Sequence, residues 1–256
     1  MNILVCIKQV PQSETATVID SANTWIVRSD NAAYKMNRFD EYALEEALLI
    51  KERFPGVRVD VLTLGPKRSR DVVKRAFGMG ADDGTYILSD DNAYKDPGVV
   101  AVQLSREAGK GNYDLILCGV MSEDMMQAQT GQMLAEHLGL PCVSSVVGLD
   151  VDPGDKRAHV KLEAEGGMRS LVQVSLPCVL TIQAGGNTPR YPTLSKILKA
   201  NNKKINIVEE NRADPGQSCQ IIRYPVKQRA GVLLEGSRKD VARQLARIFK
   251  QKSIMR

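Results

Sequence analysis

The 256 residues are 43% hydrophobic and 25% charged, with 35 Lys+Arg against 30 Asp+Glu for a net charge of +5. That balance excludes disorder, collagen and coiled coil, and at about 150 residues per domain it fits one or two domains. A chain of this size buries roughly 70–75% of its unfolded surface and needs no disulfide or metal staple.

The first 150 residues alternate short apolar runs with amphipathic segments. Strands are predicted at Ile3–Ile7, Val57–Leu64, Gly84–Leu88 and Tyr113–Cys118, each bounded by turn residues or charge. Helices are predicted between them at Arg38–Phe54, Ser69–Phe77, Val99–Ala108 and Gln129–Leu138. In the first, Tyr42, Leu44, Ala47, Leu48 and Phe54 form a stripe opposite Glu41, Glu45, Glu46 and Lys51. Strands apolar on both faces and separated by helices make a doubly wound, mainly parallel α/β sheet.

After Pro141 the pattern changes to antiparallel strands at Val143–Val151, Ala158–Glu163 and Arg169–Val174. They are joined by the turn signals Asp152-Pro153-Gly154-Asp155 and Glu165-Gly166-Gly167, and extend the sheet edge or form a lobe on it. A strand at Cys178–Gln183 follows, then a loop and short helix from Gly185 to Ala200. A tail with Pro215 and Pro225 ends in a basic amphipathic helix, Ser237–Lys250, carrying Val241, Leu245 and Phe249. The division expected is an α/β domain over 1–205 and a carboxyl-terminal arm over 206–256.

The five cysteines, Cys6, Cys118, Cys142, Cys178 and Cys219, form no CxxC pair and read as small reduced core residues of a cytoplasmic protein. No apolar stretch reaches the roughly 20 residues of a membrane span, and MNILVCIK runs into polar QVPQSE without a cleavage pattern, so a soluble, unprocessed chain is expected. The basic excess lies in 196–204 and 238–256, and aromatics are 5%; solvated helix faces or partner docking explain it better than nucleic acid.

Ligands of a parallel sheet bind beyond the carboxyl ends of its strands. Three segments fall there: Cys6 to Pro11, Leu64-Gly65-Pro66, and CGVMSEDMMQAQTGQ at 118–132. In the third, Gly119 lets the chain turn off its strand, and the stretch to Thr130 and Gly131 leads into a helix whose free amides favour an anion. It is a plain strand-to-helix connection or a nucleotide site held by main-chain amides. No catalytic machinery accompanies it. His137 and His159 lack a partner at metal-ligand spacing, Ser122 has no GxSxG elbow, and Glu123 and Asp124 read as helix-capping acids.

Seven pieces in order, VCIKQVP (5–11), KMNRFDEYALEEAL (35–48), TLGP (63–66), GMGADDG (78–84), CG…QTGQMLAEHLGLP (118–141), LPCVLTI (176–182) and RYPTLSKILKA (190–200), resemble the beta subunit of an electron-transfer flavoprotein. The resemblance covers roughly 1–205. It implies a flavodoxin-like or adenine-nucleotide-hydrolase-like fold, a heterodimer with an alpha subunit that holds most of the FAD, and AMP as a structural ligand here. The family's AMP contacts fall on Cys6, Asn37, Arg38, Phe39, Asp40, Leu64, and the loop Gly119, Val120, Met121, Ser122, Glu123, Asp124, Met125, Met126, Gln127, Ala128, Gln129 and Thr130. Docking to a partner dehydrogenase falls on Arg190, Tyr191, Thr193, Leu194 and Ile197, with Leu194 exposed as the anchor and Thr193 or Ser195 capping its helix.

Some family members carry a second FAD in place of AMP and bifurcate electrons from NADH. Their loop resembles GRQAIDGDTAQVGP, whereas this chain has GVMSEDMMQAQTGQ, with Met125 and Met126 where smaller residues give a flavin room. KQVP and FDEYALE lean the other way. The favoured expectation is an electron carrier from acyl-CoA-type dehydrogenases to a membrane quinone reductase or other acceptor. A bifurcating subunit and a non-redox adenine-nucleotide module are the alternatives.

Overall fold

The computed structural model describes residues 1–12, 17–27, 32–211, 219, 221–226 and 231–252. Pro215 of the tail lies outside the described residues. Two compact units divide the chain, Met1–Ile222 and Arg223–Arg256.

The first unit opens with β1 (Asn2–Cys6) and four short pieces, β2 (Gln9–Pro11), β3 (Val18–Ile19), β4 (Ile26–Val27) and β5 (Tyr34–Met36). Then come α1 (Arg38–Arg53), β6 (Arg58–Gly65), α2 (Arg70–Met79), β7 (Asp83–Leu88), α3 (Pro97–Ala108), β8 (Leu115–Gly119) and α4 (Thr130–Leu138). The unit continues through β9 (Cys142–Asp152), β10 (Arg157–Glu163), β11 (Arg169–Ser175), β12 (Cys178–Ile182), α5 (Leu194–Asn201) and β13 (Asn206–Glu209). The main sheet has nine strands in the order β11-β10-β9-β12-β8-β1-β6-β7-β13. All pairings from β9 through β13 in that order are parallel, and β9–β10 and β10–β11 are antiparallel.

Alternation along the central strands explains the two covered faces. Ile3 and Val5 of β1 enter one core with Leu44, Leu48 and Phe77, while Leu4 and Cys6 enter the other with Leu104, Ile116 and Leu134. In the antiparallel extension Val151, Ala158, Val160 and Val174 are buried on one face, and Leu171 on the edge strand is 74% exposed. Its two turns follow the sequence signals: Asp152 Oδ1 accepts from the Gly154 amide at 2.9 Å, and Gly166 and Gly167 take φ of +69° and +75°.

Four expectations change. Asn206–Glu209 pairs in parallel with β7, so the sheet runs past the boundary expected at 205 and the first unit extends to Ile222. Four residues among polar neighbours carry too little periodicity to mark that strand. Cys6, Cys118 and Cys178 are core residues, but Cys142, at the first position of β9, is exposed. Gly119 has no positive φ, so its role is close approach and not a sharp turn. The acidic face of α1 is not all solvated, because Glu45 and Glu46 are buried at 4% and 8% exposure.

In the second unit α6 (Arg238–Gln251) starts at Ser237, whose side chain accepts from the Asp240 amide, and none of the helix's residues is buried.

Candidate functional site

From β1 the chain winds outward through β6 and β7, then returns to place β8 on the other side of β1. Strand order therefore reverses between β1 and β8, and a crevice opens beyond their carboxyl ends. A cavity of about 210 Å³ lies there, floored by Cys6, Leu64 and Cys118 and walled by Asn37, Asp40, Gly119 to Ser122 and the first turn of α4.

Two residues at the start of α1, Asn37 at its cap position and Asp40 in its first turn, hold this crevice together. Asn37 is 1% exposed; its Nδ2 donates to the Met121 carbonyl and to Asp40 Oδ1, both at 2.9 Å, and its Oδ1 accepts from the Glu123 amide at 3.0 Å. Glu123 answers with Oε2, which accepts from the Arg38 amide at 3.2 Å, while Oε1 accepts from Lys35 at 3.0 Å. The expectation that Glu123 and Asp124 cap the helix after the loop is corrected: Glu123 meets the first amide of α1, and Asp124 pairs with Lys8. Asp40 accepts from the amides of Lys8 and Gly119 at 2.7 and 3.1 Å. Burial pushes its carboxyl up to about 7, against the pull of those hydrogen bonds and of Lys8.

The loop 120–129 is braced again from the chain just after β1. Lys8 Nζ donates to Asp124 Oδ1 and Oδ2 at 2.7 and 2.9 Å and to Ser122 Oγ at 3.2 Å. Met126 and Ala128 take φ of +53° and +52°, a left-handed backbone that non-glycine residues hold only when their surroundings impose it. Gln127 Nε2 donates to Tyr94 Oη at 2.8 Å. Beyond the loop, Gln129 caps α4 without a side-chain hydrogen bond, and Thr130 and Gly131 of the first turn line the cavity.

Of the residues named from the sequence, Cys6, Asn37, Asp40, Leu64, Gly119, Val120, Met121, Ser122, Asp124, Met125, Gln127, Ala128, Gln129 and Thr130 line the cavity. Arg38, Phe39, Glu123 and Met126 do not. Met126 is 65% exposed, so only Met125 of the two methionines narrows the space. Sequence reasoning missed Tyr34, Arg68, Trp25 and Lys95, which line the far side. Arg68 lies 4.2 Å over the Tyr34 ring and pairs with Asp91, and Trp25 meets Tyr94 edge-on. Arg68 and Lys95 carried one signal, basic character a few residues past the predicted strands ending at Leu64 and Leu88, whereas Trp25 and Tyr34 lie far from any predicted strand end.

A phosphate-bearing nucleotide suits these walls. A Cβ on Gly119 would lie 2.3 Å from Asp40 Oδ1, and one on Gly131 would lie 2.5 Å from Thr181 Cγ2, so the packing of the wall itself admits no side chain at either position. The uncapped amides of α4 supply the matching donors.

The docking stretch expected from Arg190 to Ile197 behaves differently along its length. Arg190 is turned inward, donating to Glu45 through Nε and Nη2 at 3.0 and 2.8 Å and pairing with Glu52. Those carboxylates hold its guanidinium pKa above the usual arginine value. It anchors the loop to α1 and is not free to dock, because a buried Glu45 requires a partner. Tyr191, Leu194, Ile197 and Leu198 are 84%, 73%, 40% and 59% exposed. Thr193 occupies the cap position without a side-chain bond to the helix; it and Ser195 share a 3.1 Å hydroxyl contact instead.

His137 and His159 are both exposed, on α4 and β10. Among the described residues no cluster of His, Cys, Asp or Glu is arranged to hold a metal, and no helix is long and apolar enough to cross a membrane.

Residues 24–213 match the family described as the electron transfer flavoprotein domain. The electron transfer flavoprotein subunit beta of Methylophilus methylotrophus is 33% identical over 98% of both chains, and that of Bacillus subtilis 30% over 99% of both. A subunit of the caffeyl-CoA reductase-Etf complex, CarD of Acetobacterium woodii, is 31% identical over the whole of both. With the doubly wound sheet and its crevice, these matches place the chain in the electron transfer flavoprotein family, among its beta subunits.

Proposed function

We propose that this chain pairs with an electron-transfer flavoprotein alpha subunit and holds AMP in the β1/β8 crevice, while FAD is held mainly by the alpha subunit. The heterodimer carries electrons from acyl-CoA-type dehydrogenases to a quinone reductase or another acceptor. FAD supplies the redox chemistry when bound. This chain contributes scaffold, nucleotide site and docking segment, and no catalytic group of its own. The observation that carries the reading is a crevice at the strand-order reversal between β1 and β8, lined by Gly119, the loop after it and the start of α4, which no side chain caps.

A bifurcating subunit with a second FAD is the alternative. Two observations favour it: CarD belongs to a caffeyl-CoA reductase-Etf complex, and the cavity continues past Gln9 to Tyr34 and Arg68. Met125 in the wall favours the smaller ligand. Family membership argues against the non-redox module. Extraction of the nucleotides from the heterodimer tests the choice. One flavin with one AMP supports the carrier, two flavins the bifurcating subunit, and no adenine nucleotide on this chain overturns both.

A further inference from the structure

All three hydrogen-bond partners of Asp40 are donors: the Lys8 amide on Oδ2, and Asn37 Nδ2 and the Gly119 amide on Oδ1. An ionised carboxylate accepts all three with no donor of its own to place, whereas a protonated acid has to fit an O–H among these donors and accepts more weakly, and an amide loses one acceptor altogether. Two of those donors are main chain, just past β1 and at the end of β8, the strands between which the order reverses. Asp40 is 5% exposed and engaged on both oxygens, so it is better placed to shape the crevice than to meet a ligand.

We propose that Asp40 is the positioning residue of this site: as a carboxylate it pins the main chain at Lys8 and Gly119 on both sides of the crevice, and on losing its charge it releases that pinning and weakens the hold on the nucleotide. The inference rests on the adenine-nucleotide reading above.

The groups that face Asp40 bear on its titration. Lys8, from the chain after β1, favours the charged form, and the Cys118 thiol of β8 lies near it, beside Cys6 of β1. On the loop, Asp124 is paired with Lys8 and Glu123 with Lys35. Burial raises the carboxyl from 3.8 to about 7. The sign follows from linkage. Between those values the folded chain holds a proton that the unfolded chain lacks, so the contribution of Asp40 to stability falls as pH rises through the window. Pinning of Lys8 and Gly119 rises over the same window. A residue that served only as scaffold would not move the two in opposite directions.

The test uses the heterodimer loaded with AMP. Two quantities are read between about pH 6 and pH 8, on either side of the titration: the AMP release rate, and amide hydrogen exchange in segments 5–10 and 116–124, corrected for intrinsic rates. In the unaltered protein, release is expected to slow by up to about tenfold per pH unit as Asp40 ionises. Asp40→Asn should release AMP fast throughout, with raised exchange in both segments. Ionisation of the AMP phosphate, with a second pKa of about 6, shapes both profiles alike, so the difference between them belongs to Asp40. Parallel release profiles overturn the inference, as does unchanged exchange in the variant. Should the variant not fold, the pH series of the unaltered protein decides: release and exchange that both ignore pH near 7 overturn it. Absence of AMP from the unaltered protein, with exchange still responding to Asp40→Asn, removes the nucleotide reading and leaves the pinning.

Discussion

Gly119 and Asp40 are packed so closely that a Cβ on the glycine would lie 2.3 Å from Oδ1 of the aspartate and 2.8 Å from its amide. Neither neighbour yields easily, since one is helix backbone and the other a buried carboxylate tied to three donors. Gly119→Ala is therefore expected to cost about 2–3 kcal/mol as overpacking, lowering the melting temperature by roughly 5 °C or more. AMP content should fall with it. Melting curves and nucleotide extraction on the purified variant check both, and unchanged values would place the nucleotide elsewhere.

The pairing of Arg190 with Glu45 carries the second expectation. Glu45 has a side chain only 5% exposed, against 27% for Arg190. Removing the guanidinium strands a buried carboxylate, which costs 3–5 kcal/mol in fully buried pairs, and about 2 kcal/mol is expected here because water reaches the arginine side. Arg190→Ala should lower stability in denaturant titration. A variant as stable as the parent, but defective in transfer from a dehydrogenase, would return Arg190 to the docking surface.

These two sites show what a linear reading reaches and where it stops. β1, β6, β7 and β8 were legible to within two residues at either end because strands buried on both faces leave unbroken apolar runs, and their ends located the crevice. The pairs β2–β5 and β3–β4 were not, since two or three residues cannot display a period of two. In α1, Asn37 and Asp40 carry the polarity of an ordinary helix start. Only the fold brings Gly119 and Met121, about eighty residues onward, against them. Arg190 misled for the same reason: a basic residue beside an exposed Tyr191 reads as surface until Glu45 is found beneath it.

The arm gives a third expectation, with its boundary moved. β13 belongs to the sheet, and just past it the Asn211 amide donates to Gln103 Oε1 at 3.3 Å, so a cut at 205 removes structure from the first unit. A cut after Ile222 does not. Deleting 223–256 should leave the melting temperature of the isolated subunit within a few degrees of the parent. Because α6 presents Val241, Leu245 and Phe249 without burying any of them, the same deletion should weaken association with the alpha subunit. Equal elution of both heterodimers in gel filtration across a dilution series would deny the arm that role.

Leu194 offers the sharpest separation of docking from folding. It is 73% exposed at the first position of α5, with Tyr191 and Leu198 exposed beside it, while the helix is held to α2 from its other side through Pro192 and Ile197 near Gly78. Truncating so exposed a side chain removes little from the core, and surface substitutions of this kind stay within about 0.5 kcal/mol. An exposed leucine among exposed apolar neighbours is instead suited to fill a pocket on a partner, where a buried anchor typically carries more than about 1 kcal/mol of binding. Leu194→Ala is accordingly expected to leave melting temperature, flavin content and AMP content unchanged. Electron transfer from an acyl-CoA-type dehydrogenase should slow severalfold, with the loss concentrated at low concentrations of the flavoprotein, where encounter limits the rate. Stopped-flow reduction of the heterodimer by the reduced dehydrogenase, followed as a function of flavoprotein concentration, reads that loss directly. Normal transfer accompanied by a marked drop in melting temperature would make Leu194 part of the fold and move the docking surface off α5.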